Sequence, residues 1–242
     1  MADPIFEDPR LAAIYDPLDA DRSDLDVYAA LVDELGAATV LDVGCGTGTF
    51  ACLLASRGTS VIGVDPAAAS IEVARQKTGA AGVRWIVGDA TSLPPLQVDL
   101  VTMTGNVAQV FVDDADWRAT VRGIHAALRP GGSFAFEVRD PGREAWRGWN
   151  RDATFRRIEI PEAGVVETWV DLLDVTLPLV SFRWTFVFGA DGRRVTSDST
   201  LRFRSRAELE GSLDAAGFAV RAIRDAPDRP GLEWVFLTDR VG

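Results

Sequence analysis

Residues that commonly carry catalysis or crosslinks are scarce in this sequence. Among 242 residues there are two cysteines, Cys45 and Cys52, and one histidine, His125. Two cysteines exclude a disulfide framework and suit a reducing, cytoplasmic setting. No His/Cys/Asp cluster has ligand spacing, so no metal is expected. Lys77 is the only lysine, which argues against a lysine nucleophile, Schiff-base chemistry or a lysine-bearing phosphate loop. No apolar run approaches the ~20 residues that span a bilayer. The opening stretch, MADPIFEDPRL, lacks the basic start and apolar core of a secretory signal, so no membrane partner is expected. Positive charge is short as well. The 25 Lys+Arg against 36 Asp+Glu give a net charge of −11 and a pI near 4.6, which argues against a wide grip on nucleic-acid phosphates. The deficit is concentrated: residues 1–36 hold ten acids against Arg10 and Arg22, whereas residues 139–206 hold twelve Arg against ten acids.

What is present points to a folded α/β chain. Hydrophobic residues make up 47%, too many for a disordered chain, and the length suffices for a large core without staples. Helical spacing appears over Pro9 to Asp16 and Asp24 to Leu35, with Gly36 as a stop. Short β-branched runs then alternate with helical segments. The strands are 39–43, 60–64, 83–87, 98–103 and 133–138, and the helices are 50–57, 67–77 and 113–128. Arg129-Pro130-Gly131-Gly132 reads as the stop after the last helix. This alternation predicts a parallel sheet covered on both faces. After Asp140 four runs alternate in period two, over 155–160, 165–176, 179–188 and 193–203, and predict an antiparallel meander. A helix over 206–216 and strands over 218–223 and 233–238 close the chain.

The chemistry gathers at the first strand–helix turn, Asp42-Val43-Gly44-Cys45-Gly46-Thr47-Gly48. Glycines there let a ligand approach the backbone, and the helix behind presents unpaired N–H groups. Asp65 ends the second strand, where a carboxylate can accept from both hydroxyls of a ribose. A dinucleotide fingerprint would need glycine at 44, 46 and 49, and position 49 is Thr. With Asp42 two residues before the first glycine, the turn favours a nucleoside bearing an amino group over a pyrophosphate, and hence over NAD.

LDVGCGTG, VIGVDPAAASIEVAR, VGDATSLP, VDLVTMTGN and LRPGGSFAFEV follow one another over roughly residues 38–138. In this order and spacing they resemble the class I S-adenosylmethionine-dependent methyltransferases. The resemblance implies a Rossmann-like seven-stranded sheet whose last strand is antiparallel. It implies S-adenosylmethionine as cofactor, with Gly44, Cys45 and Gly46 along the methionine moiety and Asp42 nearby. Asp65 would hold the ribose, Pro66 would lie against the adenine, Asp89 would meet the adenine amino group with Ala90 beside it, and Thr104 would run along the cofactor. Tyr15 resembles a lid residue. Residues 1–36 would form an N-terminal helical lid, 37–140 and 205–242 the cofactor-binding core, and 141–204 an antiparallel β insertion that roofs the acceptor or offers a homodimer face.

The position for target-directed chemistry after strand four reads Thr104-Gly105-Asn106, without the Asn/Asp-Pro-Pro-aromatic motif of many amino-directed nucleic-acid and protein enzymes. Asn106 is the candidate catalytic and substrate residue. Trp146 and Trp149, just past strand five, are candidates to pack on a flat or cationic acceptor. His125 falls mid-helix, away from the strand ends, and reads as structural. The expected function is N- or O-methylation of a small-molecule acceptor, chiefly by alignment. The competing expectations are a macromolecular methyltransferase acting on RNA or protein, and a cofactor-binding domain that transfers nothing.

Overall fold

The structure is a computed structural model and describes residues 2–242. Two short helices open it, α1 (Pro4–Glu7) and α2 (Pro9–Leu18), each with a proline in its first turn and an aspartate at the cap. Asp8 caps α2 by accepting from the N–H groups of Arg10 and Leu11. Helix α3 (Asp24–Leu35) ends on Gly36 at φ +60°. Then come β1 (Thr39–Val43), α4 (Thr49–Ser56), β2 (Ser60–Asp65), α5 (Ala68–Gln76), β3 (Val83–Val87), β4 (Val98–Met103), α6 (Asp114–Ala127) and β5 (Leu128–Arg139). The short helix α7 (Arg151–Thr154) leads into β6 (Arg156–Ile160), β7 (Gly164–Thr176), β8 (Leu179–Phe188) and β9 (Arg194–Arg202). Helix α8 (Arg206–Asp214), β10 (Phe218–Asp225) and β11 (Glu233–Arg240) follow.

β1 to β5 pair in parallel, and the seven-stranded sheet runs β10-β11-β5-β4-β1-β2-β3. β11, the last strand, lies antiparallel to both β5 and β10. The apolar strands divide by residue parity between two cores. Leu41, Val43, Val101, Met103, Phe134, Phe136 and Phe236 face α6 and α8. Val40, Leu100, Ala135, Val235 and Leu237 face α3 and α4. On the first face Phe136 stacks between Phe134 and Phe236 at centroid distances of 4.8 and 4.9 Å. No helix among the described residues is long and apolar enough to cross a membrane.

The second sheet is antiparallel and runs β6-β7-β8-β9. Its inner face packs Ile160, Val166, Phe186 and Phe188 against Ile5, Leu11, Ile14 and Leu18 of α1 and α2. These two helices therefore lie on the second sheet, whereas α3 belongs to the core under β1. Residues 2–18 act as a strap between the sheets. On one side the Ile5 N–H donates to Ser197 Oγ at 2.9 Å, and the Arg10 guanidinium lies 3.6 Å over the Phe188 ring. On the other, Ser70 Oγ donates to the Phe6 carbonyl at 2.8 Å and Lys77 Nζ pairs with Asp16 at 2.6 Å.

Some boundaries differ from the sequence reading. α2 runs through Pro17 to Leu18 rather than stopping at Asp16; Pro17 forfeits the N–H that would bond the carbonyl four residues back, and the helix ends one residue later. The Arg129–Gly132 stop lies within β5. Leu128 still pairs with Val98, and the register resumes at Ser133 opposite Leu100 after a bulge.

Candidate functional site

A cavity of about 510 Å³ opens where the parallel strands end. Its floor comes from the residues directly after each strand: Gly44 to Thr47 after β1, Pro66 after β2, Gly88 to Thr91 after β3, and Thr104 and Gly105 after β4. This is the ligand crevice of an open α/β sheet. The strap closes it from above with Phe6 and Tyr15, whose rings are 5.6 Å apart.

Local geometry explains the glycine turn. The N–H groups of Gly44 and Cys45 both donate to the Val64 carbonyl, at 2.8 and 3.2 Å, which folds the loop across the end of β2. Gly48 sits at φ +77°, and a Cβ there would stand 2.4 Å from Cη2 of Trp85.

The carboxylates have distinct settings. Asp42 is 1% exposed; one oxygen accepts from Thr102 Oγ1 at 3.0 Å, and Oδ2 has no partner. Burial pushes its carboxyl up to about 7, against the Thr102 hydroxyl, which favours the charged form; Asp65 adds to the rise and Arg22 opposes it. Asp65 accepts from the Gly46 N–H at 2.9 Å through one oxygen and from the Ala67 N–H at 2.8 Å through the other, so each oxygen retains accepting capacity. Burial raises its pKa, and these two N–H groups oppose the rise. Asp89 is exposed at the rim, with one oxygen accepting from the Thr91 N–H at 2.8 Å and from the Thr91 hydroxyl. Burial raises the Tyr15 hydroxyl and carries the Cys45 thiol well above its usual range.

The cavity wall thus unites Tyr15, Asp42, Gly44, Cys45 and Gly46 with Asp65, Pro66, Asp89, Ala90 and Thr104. Three other sequence candidates lie off this wall. Asn106 is 3% exposed in a left-handed conformation (φ +60°), which turns its amide inward to donate to Glu233 at 3.2 Å. Trp146 and Trp149 pack edge-on against Phe203 and Phe182, each at 4.6 Å, with Val180 and Leu201. They pack on the second sheet instead of facing the cavity. His125 lies against Phe218 at 5.3 Å, also off the wall.

Sequence reasoning missed Arg22, which lines the cavity while Asp24 holds its guanidinium through two 3.1 Å hydrogen bonds. It also missed the strap residues Asp3 and Phe6, and Val107, whose methyl groups occupy the space a Cβ on Gly44 would need. The Arg22 position carried one signal, as one of only two cations in the acidic first 36 residues.

The geometry fits a ligand that joins an α-amino acid to a nucleoside. Asp42 Oδ2 is a buried acceptor without a donor, Arg22 is a cation suited to a carboxylate, and Asp65 can receive a diol. The family model described as a methyltransferase domain matches residues 40–132, the span that carries these floor residues. Over that span the match bears out the resemblance to the class I S-adenosylmethionine-dependent methyltransferases. The cofactor of the family is S-adenosylmethionine. The chain is 32% identical over 145 residues to the cypemycin N-terminal methyltransferase of a Streptomyces species. That match covers 58% of this chain and spans 59% of the relative's own length. An S-adenosylmethionine-dependent methyltransferase from Clostridium acetobutylicum has a similar structure, with TM-score 0.78 and 19% identity over 96% of this chain and 98% of that one. CalS10, an amino pentose methyltransferase from Micromonospora echinaspora, gives TM-score 0.70 and 24% identity over 92% and 93%. At these identities the structural likeness is one of fold.

Proposed function

We propose that this methyltransferase-family chain methylates a nitrogen or oxygen atom of a small-molecule acceptor. The observation that carries the reading is the polar complement of the cavity floor. An unpartnered buried carboxylate oxygen and a second carboxylate stand at the ends of neighbouring strands, and the Arg22 guanidinium joins the same wall from the segment before α3. On this reading Asp42 and the Gly44–Gly46 backbone receive the amino-acid part of the cofactor, and Arg22 meets its carboxylate. Asp65 takes the ribose, Pro66 and Ala90 flank the adenine, Asp89 accepts from its amino group, and Thr104 runs alongside. Tyr15 closes the site as part of the strap.

S-adenosylmethionine supplies a methyl group on a positively charged sulfur, which an acceptor lone pair can take with little covalent help. The work left to the protein is alignment and exclusion of water. The walls suit that division, because the cavity brings no histidine and no paired acid and base to one point. Glu137, the nearest strongly buried acid beneath the loop after β4, is engaged by the Tyr28 hydroxyl and the Gly105 N–H. A small acceptor is supported by the enclosed cavity under the strap and by the net charge of −11.

The test is calorimetric titration with S-adenosylmethionine and, as control, NAD, followed by detection of S-adenosylhomocysteine over a panel of amines, phenols and sugars. Saturable binding of S-adenosylmethionine alone, with turnover of a panel member, is expected. Tight NAD binding, or no binding of S-adenosylmethionine by folded protein, would refute the reading.

A further inference from the structure

A second cavity, of about 460 Å³, lies against β8 and β9 of the antiparallel sheet. Asp3, Val110 and Thr200 line both cavities, so the two meet at these residues. The floor of the first cavity is built from strand ends that suit the cofactor, and the junction lies on the side formed by the strap, β9 and the loop after β4.

The charges around the junction can be sorted by their partners. Asp198, in the second cavity, is held by both arms of Arg183, at 2.5 and 2.6 Å. Asp114, at the start of α6, is taken by Arg202 and Arg204 at 3.0 and 3.3 Å. Arg22, the guanidinium of the first cavity, is held by Asp24. Asp3 differs from all of these. It stands at the cap of α1, yet its carboxylate accepts no cap bond, and it makes no ion pair among the described residues. It is half-buried on the walls of both cavities. Asp3 is thus the one charged residue that lines both cavities, it is negative, and a charged group seated beside it is a cation.

The second cavity has its own chemistry. Ser181 Oγ and Thr200 Oγ1 are 2.8 Å apart on one face of the sheet, and both residues line the second cavity. Val112 and Leu173 also line it. Leu173 is the extra residue of a bulge in β7, skipped between the pairs Leu172–Phe182 and Asp174–Ser181, and it is 49% exposed. A bulge re-aims a side chain, and here it gives the cavity an apolar lip.

We infer that the acceptor is a hydroxylated aliphatic amine, whose protonated amino group pairs with Asp3 at the junction on binding and whose body occupies the second cavity; that amine passes its proton to Asp3 or to solvent before its lone pair takes the methyl group, which leaves the cofactor as neutral S-adenosylhomocysteine. This inference rests on the methyltransferase reading above. Asp3 selects the charge, Ser181 and Thr200 receive hydroxyl groups, and Leu173 covers the outer end.

The test is a binding experiment on the full chain saturated with S-adenosylhomocysteine, titrated with matched pairs: serinol against glycerol, glucosamine against glucose, and kanamycin as a larger amine. At least one amine is expected to bind in the millimolar range or tighter, while glycerol and glucose do not. Asp3→Asn keeps a residue that helix caps accept. With the variant likewise saturated with S-adenosylhomocysteine, the substitution should weaken the amine about tenfold to a hundredfold. Leu173→Trp, at the exposed lip, should weaken kanamycin more than serinol. Equal binding of the neutral partner, an Asp3→Asn variant with unchanged amine affinity, or binding of none of the amines overturns the inference while leaving the methyltransferase reading intact. Failure of S-adenosylhomocysteine itself to bind defeats that reading, and this inference with it.

Discussion

Asp42 makes cofactor binding pH-dependent in a way that can be calculated. Its buried carboxyl is raised to about 7 in the ligand-free chain, and the oxygen without a partner is the one left to receive a donor. A cofactor ammonium at that oxygen requires the ionised form. Below pH 7 binding must therefore expel a proton, and each unit costs about tenfold in affinity. The α-amino group of the ligand titrates at about 7.7–8, above this window. Titration between about pH 5.5 and 7, in buffers of different ionisation enthalpy, should reveal release of close to one proton at the acid end. Three groups face Asp42: Thr102 and Arg22 favour its charged form, and Asp65 opposes it. Asp65 is also raised, so the control is Asp42→Asn, which keeps an acceptor for the Thr102 hydroxyl but cannot titrate. The variant should bind more weakly and lose most of the pH slope. A wild-type affinity that is flat across this window, or a slope that survives in the variant, would refute the assignment.

The same shift has a sign for stability: a carboxyl raised in the fold stabilises it below the unfolded value of about 3.9, and this contribution is lost as pH rises through about 7. Ligand-free Asp42→Asn should therefore melt higher than wild type at alkaline pH, by up to about 4 kcal/mol in stability, and show no such gain in acid. Lys77→Met removes the cation that joins Asp16 of the strap to Thr49 of the glycine turn, each at 2.6 Å. Both charged groups are partly exposed, so the expected cost is ~1 kcal/mol or less, read as few-fold weaker cofactor binding and faster proteolysis between α2 and α3. Gly123→Ala would drive a Cβ to 1.9 Å from the Ala90 carbonyl oxygen, and should cost ~1–3 kcal/mol in a melt. Gly211→Ala on α8 meets nothing within 4 Å and should stabilise by about 0.5–1 kcal/mol. Glu137→Leu strands the Tyr28 hydroxyl and the Gly105 N–H, at about 1–3 kcal/mol for each group in denaturant unfolding, whereas Glu137→Gln keeps an acceptor and should cost less.

The parallel sheet was legible because burial on both faces writes each strand as an apolar β-branched run. Thr39–Val43, Val83–Val87 and Val98–Met103 are observed with the bounds the sequence predicts. Helix α1 was missed although Asp3-Pro4 repeats the Asp8-Pro9 signature that begins α2. Four residues carry too little periodicity to announce a helix whose stability comes from Ile5 packing on a distant sheet. The bulge in β5 was hidden for a different reason. Pro130, Gly131 and Gly132 are turn residues by local preference, and only the opposite partner Val98 draws Leu128 into the ladder.

The candidate site divides along the same line. Residues directly after a strand were readable, since glycines and acids at those points have few structural reasons to be there. Trp146, Trp149 and Asn106 illustrate the converse. Their sequence neighbourhood was near the site, but aromatic surface finds Phe182 and Phe203 before it finds a ligand, and the left-handed backbone at Asn106 turns its amide toward Glu233. Lys77 has no role as a nucleophile in this geometry, yet it ties strap to turn because the strap's partners lie on two separate sheets. Ser197 and Phe188 hold one side of that strap; Ser70 and Lys77 hold the other. No local pattern can encode such a segment. Its residues are chosen by surfaces from about thirty to nearly two hundred positions away, and the side of the cavity that it walls becomes visible only once both sheets are in place.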